Sequence, residues 1–229
     1  MDMAWRTGQI TENGRPALIY FEPHGRTAPL EALLAHAKVD YERIRLPRSD
    51  WPWVKGSGFF DFPNIPTWRQ DGEYFHQSRA ILRCLGMQHG YYPSDPFVLH
   101  ACDSLVEWYA DEFGKWASFL PQIFSGQWDE EKTTDFIAKL DAYAKMLESR
   151  LEGHGKQFIA GTSNPTIADF AIGSPYFVFL NNEASTLPQA VKDKLQGTID
   201  SRPKLKRYVG ETLPPVFKPW CDTRAKHPF

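Results

Sequence analysis

FPNIPTWRQDGEYFHQSRAILRCLG, residues 62–86, decides the fold. Thr67, Trp68 and Arg69 put a β-branched and an aromatic residue in one short run, which suits a strand. Asp71-Gly72 is a hairpin turn signal, and Tyr74-Phe75 resumes the strand. Gln77-Ser78 then opens a helix whose apolar positions Ile81, Cys84 and Leu85 repeat at i, i+3, i+4, with Gly86 as the expected stop. Ile65-Pro66 stands directly before the first strand. An X-Pro bond can be cis, and a cis bond there would offer the N–H and C=O of Ile65 to an extended ligand. Gln77-Ser78 sits at a helix N-terminus, where unpaired N–H groups and the helix dipole favour a carboxylate. Ser78 is equally readable as a plain cap. Together these features describe a receptor for a short peptide with a free carboxylate.

On the N-terminal side, ALIYF at 17–21 is a short apolar strand broken by Glu22-Pro23-His24-Gly25. Residues 26–38 have helical spacing, with Leu30, Leu33, Leu34 and Ala37 at i, i+3, i+4, i+7 and Pro29 in the first turn, where a missing N–H costs little. YERIRL at 41–46 alternates as a second strand. Strand, helix, strand implies a right-handed crossover and parallel pairing. This half is therefore βαβ followed by ββα, a thioredoxin-like arrangement. Between its two parts lie residues 48–60, carrying Trp51, Trp53, Phe59 and Phe60, read as a connection with one irregular helix.

On the C-terminal side no strand run is evident. Residues 97–120 and 129–153 read as long helices, 166–180 as a third, and 187–199 and 203–209 as two shorter ones. Thr166 and Asp169 form a capping box of the S/T-x-x-D kind. The reading divides the chain into a polar extension (1–15), a thioredoxin-like domain (16–88), a linker (89–96), an all-helical domain (97–212) and a proline-rich tail (213–229) expected to be irregular.

Composition bounds the function. The chain has 229 residues, 42% apolar and 14% aromatic, enough for a sizeable ordered core. A net charge of −2 gives no reason to expect nucleic acid or an anionic membrane as partner. Cys84, Cys102 and Cys221 are sparse and unpaired in spacing, as in a reducing compartment. The N-terminus lacks the apolar core of a signal peptide, and no run reaches the roughly 18 apolar residues of a membrane span. The histidines have no metal spacing, and no metal is expected. The expected location is the cytoplasm.

These motifs together resemble the glutathione transferase family: a Pro before a strand, strand, turn, strand, Gln-Ser opening a helix, then an all-helical half. IYFEPHGRTAPLEALL is similar to the sigma-class pattern in which Tyr-Phe is followed by three residues, Gly-Arg and a helix. LPRSDWPWVKGSGFFDFPNIP resembles the stretch of that class where a Trp and, four residues later, a Lys precede Ile-Pro. The resemblance implies glutathione as co-substrate and Tyr20 as the donor to its sulfur, with Arg26 in support and Phe21 lining the site. It implies that Trp51 and Lys55 hold the glycyl carboxylate. Ile65, beside Pro66, would take the peptide backbone, and Gln77 and Ser78 the γ-glutamyl end. Asn64 departs from the Lys or Gln common before Ile-Pro. Asp111 matches the family position that reaches the γ-glutamyl ammonium of a neighbouring subunit, so a homodimer is implied. Tyr109, Phe113 and Trp116 are candidates for the second-substrate wall.

The chemistry is a matter of thiolate. A free thiol of pKa about 8.5 is only a few per cent ionised at neutral pH, and the thiolate is the nucleophile. Lowering that pKa by about two units stabilises thiolate by roughly 2.7 kcal/mol, within reach of one donor plus a local cation. The expected activity is conjugation of glutathione to apolar electrophiles, a detoxification reaction. The alternatives are glutathione-dependent isomerase or peroxidase chemistry, or a non-catalytic structural protein of the same fold.

Overall fold

The computed structural model describes residues 14–58 and 60–227. Phe59 and nearly all of the expected N-terminal extension lie outside the described residues. A four-stranded mixed sheet has the order β2-β1-β3-β4, built from β1 (Ala17–Tyr20), β2 (Glu42–Arg45), β3 (Thr67–Gln70) and β4 (Glu73–His76). β1 and β2 are parallel, as the crossover implies, while β1/β3 and β3/β4 are antiparallel. The β3–β4 hairpin turns at Asp71 and Gly72, with φ of 53° and 83°. These are the left-handed conformations that a two-residue hairpin demands.

Both faces of β1 are covered. Ala17 and Ile19 pack with Ile44, Leu46, Val54 and Phe60 beneath α2 (Trp51–Gly56). Leu18 faces the main core with Trp68, α1 (Ala28–His36) and α3 (Ser78–His89). α1 is buried from Ala28 through Leu34, because sheet and helical half enclose it.

Two expectations about element ends are corrected. Gly86 is not a stop: α3 runs on to His89 and ends at Gly90, whose φ of 80° makes it the left-handed cap. Gly86 is there for packing, since a Cβ at this position would overlap Ile167 Cγ2. Nor is Ser78 a cap. Gln77 holds the cap position with no side-chain cap bond, and the buried positions of α3 are Ile81, Leu82, Leu85 and Gly86 rather than Cys84. Gly86→Ala should therefore destabilise the protein by about 1–3 kcal/mol despite the better helix former, lowering the melting temperature in calorimetry.

The helical half comprises α4 (Pro96–Trp116), α5 (Leu120–Ser125), α6 (Glu130–His154), α7 (Ile167–Pro175), α8 (Gln189–Asp200), α9 (Pro203–Arg207) and α10 (Leu213–Thr223). α7 gives way after Pro175 to a wider π-helical turn, Tyr176–Leu180. At its start Asp169 accepts from the N–H of Thr166 (2.8 Å), the N–H of Ile159 (3.0 Å) and the hydroxyl of Tyr208 (2.6 Å).

The expected irregular tail is instead mostly helix. Pro214 and Pro215 occupy the first turn of α10, where their missing N–H groups cost nothing. Leu213, Val216, Phe217 and Trp220 bury one face at i, i+3, i+4, i+7. α10 packs on α1, and Trp220 Nε1 donates to Glu31 at 3.1 Å. The same carboxylate meets Arg43 Nε at 2.7 Å, His24 Nδ1 at 2.6 Å and Thr27 Oγ1 at 2.9 Å. His24 Nε2 in turn lies 2.9 Å from the carbonyl of Ala225.

Burial opposes ionisation of Glu31, but His24, Arg43 and Thr27 outweigh it and bring the carboxyl down from 4.5 to about 2. A depressed folded-state pKa stabilises above the unfolded value and loses that stabilisation below it. Urea stability should therefore fall as pH drops from about 4.5 toward 2. Glu31→Gln should flatten that part of the profile.

Candidate active site

The sheet registers bring the expected residues to one edge. Tyr20 ends β1 and is level with Arg45 of β2, so the chain leaving β2 passes the same edge with Arg48, Trp51 and Lys55. β3 begins there, because Ile19 is opposite Thr67, and Ile65 and Pro66 come just before it. β4 ends there, because Thr67 is opposite His76, and Gln77-Ser78 follows. Residues far apart in sequence thus converge through pairing alone.

The Ile65-Pro66 bond is cis. Within the described residues the N–H and C=O of Ile65 have no hydrogen-bond partner. Asn64, just before it, is half-buried. Gln77 has φ 68° and ψ 107°, a conformation a side-chain-bearing residue rarely adopts. It turns the chain sharply from strand into helix and leaves the first N–H groups of α3 at the sheet edge. Its carbonyl already accepts from Ile81 at 2.9 Å.

Tyr20 is half-buried, its ring 5.6 Å from that of Phe21. Burial raises its pKa above the ordinary 10.0. Smaller influences oppose that: the nearby main-chain N–H of Arg26 favours the ionised phenol, and Arg26, Arg43 and Arg48 add positive charge. The phenol therefore keeps its proton at neutral pH and can donate it in a hydrogen bond to an anion at the sheet edge. Phe21 meets Trp51 edge-on at 5.9 Å. Lys55 lies one turn further along α2, exposed.

The expected second-substrate wall divides. Phe113 is beneath the Arg26 guanidinium, 4.9 Å from its ring centroid. Tyr109 is buried and feels the charges of Arg26 and Tyr20; burial, outweighing its bond with Ser174, pushes its phenol up to about 12. Trp116 lies behind them, its ring 6.3 Å from that of Tyr109. It is 1% exposed and packs edge-on against Tyr143 at 4.9 Å and Phe179 at 6.3 Å, so it is core.

Asp111 is exposed on α4. Glu107, one turn earlier on α4, pairs with Arg79 in the first turn of α3 and, at 2.6 Å, with Arg83. Sequence reasoning missed Arg43 and Arg48. Both belong to β2 or the turn after it, and only the parallel pairing of β2 with β1 places them beside Tyr20. A small apolar cavity of about 60 Å³ between α6, α7 and α8 lies among core residues such as Leu147, Ile172 and Leu195 and includes none of these side chains.

No protein-family model matches the chain. It is 29% identical over 217 residues to glutathione S-transferase 1 of Ascaris suum, covering 93% of this chain and 98% of the relative. It is 26% identical over 230 residues to glutathione S-transferase A3 of Mus musculus, covering 94% and 99%. Among solved structures, the glutathione S-transferase from Ascaris lumbricoides superposes with a TM-score of 0.73 at 27% identity, covering 94% of this chain and 100% of that one. None of these names carries the sigma designation, so the expected class gains no support from them.

Proposed function

We propose that this chain is a glutathione S-transferase, like the relatives it matches along nearly their whole length, and that it conjugates glutathione to electrophilic apolar compounds with Tyr20 as donor to the thiolate. One observation carries this reading: a protonated phenol, among three guanidinium groups, stands at the sheet edge that also bears Ile65 and the start of α3. In that arrangement glutathione lies with its backbone along Ile65 and its γ-glutamyl carboxylate at Gln77 and Ser78. Trp51 and Lys55 meet the glycyl carboxylate, and Asn64 flanks the peptide.

The Tyr20 O–H donates to sulfur and Arg26 adds positive field, so the thiolate is favoured over the thiol, whose proton passes to solvent water. The sulfur lone pair attacks the electrophilic carbon, forming the C–S bond as the leaving group departs with its electron pair. Phe21 and Phe113 supply apolar wall. Conjugation of glutathione to chlorodinitrobenzene above the uncatalysed rate tests the reading; inactivity across several electrophiles, together with no calorimetric glutathione binding, would sink it.

We place the protein in the cytoplasm, where it removes reactive electrophiles. Among the described residues no helix is long and apolar enough to cross a membrane. We also propose a homodimer. Phe62 is 54% exposed and Phe97 84%, and burying them against a second copy would remove apolar surface from water. Asp111 would then serve the partner's site. Sedimentation should give twice the chain mass, and Phe97→Asp should shift it toward one chain. A single-chain mass for the unaltered protein would remove both the dimer and the Asp111 role.

A further inference from the structure

Five aromatic and cationic side chains, the two arginines exposed, meet where the end of the sheet approaches the helical half. Arg48 follows β2, in the short helical turn Arg48–Asp50. Its guanidinium carbon lies 5.0 Å from the ring centroid of Phe21 and 5.5 Å from that of Phe124 on α5. It therefore spans the two halves of the molecule, held between a ring from each. Arg26 lies against Phe113 of α4 in the same way.

What separates these two arginines from their neighbours is the lack of a counter-ion. Arg43 is neutralised by Glu31, and Arg45 by Glu22 at 2.7 Å. Among the described residues neither Arg26 nor Arg48 has a carboxylate partner. A guanidinium stacked on aromatic faces keeps its N–H donors at its edge, directed in the plane and away from the rings. Arg26 acts on the Tyr20 phenol through both its main-chain N–H and its charge. Arg48 acts on the same phenol through its charge alone.

We infer that Arg48 is an anion-binding residue of the second-substrate pocket, so that the preferred electrophiles are aromatic compounds carrying a carboxylate or sulfonate. The inference rests on the transferase reading for its place in the reaction. The apolar part of such a substrate meets Phe21, Phe113 and Phe124, and its anionic group accepts from the edge of Arg48. A charge-assisted hydrogen bond of this kind contributes about tenfold in affinity, or roughly 1.4 kcal/mol.

Two matched pairs of probes test it. The first is chlorodinitrobenzene against the ring-carboxylated chlorodinitrobenzoate, each corrected for its uncatalysed rate with glutathione. The unaltered enzyme should favour the benzoate in kcat/KM. Arg48→Gln should cut that ratio about tenfold, and Arg48→Lys, which keeps the charge but loses the planar edge donors, should fall between the two. Taking the ratio cancels any common effect of Arg48 on the thiolate. The second pair is anilinonaphthalenesulfonate against neutral N-phenylnaphthylamine, read by fluorescence without turnover. Arg48→Gln should weaken only the sulfonate.

A ratio unchanged by Arg48→Gln, or a rise in the KM for glutathione in its place, overturns the inference. If neither electrophile is conjugated but Arg48→Gln still weakens the sulfonate selectively, the transferase reading fails and the anion site stands. If the two naphthalene probes respond alike, the anion site fails whatever the catalysis.

Discussion

Tyr20→Phe should lower kcat/KM for conjugation by about a hundredfold while leaving glutathione bound. Removing one donor aimed at developing or standing negative charge costs on the order of 10²–10³ in rate. The ring is kept, so the contact with Phe21 and the end of β1 survive. Peptide binding through Ile65, Gln77 and Ser78 does not involve the phenol, and calorimetry should give nearly the same affinity.

The signature lies in the pH profile. With the donor present the bound thiol ionises below its free value, and conjugation levels off near neutrality. Without it the thiol pKa returns toward about 8.5, so the variant gains rate as pH rises and approaches the unaltered enzyme in alkali. The phenol itself does not confuse the comparison, because burial holds its own pKa above 10.0. A variant as active as the parent at neutral pH would mean that Arg26, or the helix start, sets the thiolate instead.

Asp169→Ala should have the largest effect on stability, about 3–5 kcal/mol in urea titration, with kcat of the folded protein unchanged. Its carboxylate is fully buried and takes hydrogen bonds from Ile159, Thr166 and Tyr208. Truncation leaves those donors unpaired inside the protein, each costing about 1–3 kcal/mol less whatever relaxation recovers. Burial nevertheless pushes the carboxyl pKa up, against the lowering by Tyr208, Thr166 and Ile159. Asp169→Asn removes the buried charge and keeps one acceptor, so it should fall between parent and Ala. A loss below about 1 kcal/mol for the Ala variant would show that the start of α7 does not depend on this carboxylate.

What could be read from the sequence was local. Asp71-Gly72, the leucines of α1 and the Thr166/Asp169 box each carry their instruction within a few residues, and each appears in the structure where it was expected. Prolines misled at α10, because four of them between 213 and 229 looked like breakers when three stand in a helix, two in its first turn. Gly86 misled for a related reason: a glycine without a side chain serves close approach of helices as readily as termination, and only Ile167, from another helix, decides which. At the site, residues tied to one strand end were legible, Tyr20 and Gln77 among them. Arg48 was not, since its partners Phe21 and Phe124 meet it only once both halves have docked. Trp116 looked like a pocket wall because helical periodicity gives the face of a residue without saying what covers that face.

The Glu31 cluster has a consequence for how the protein is made. Glu31 and Trp220 are 189 positions apart. A nascent chain emerging from the ribosome holds that carboxylate, with His24 and Arg43, long before the indole that caps them has been translated. The sheet can pair early, but its first helix stays partly uncovered until α10 arrives. Co-translational folding of the N-terminal half therefore stops short of completion, and a chain stalled before residue 213 should be more open to proteases around α1 than the finished protein.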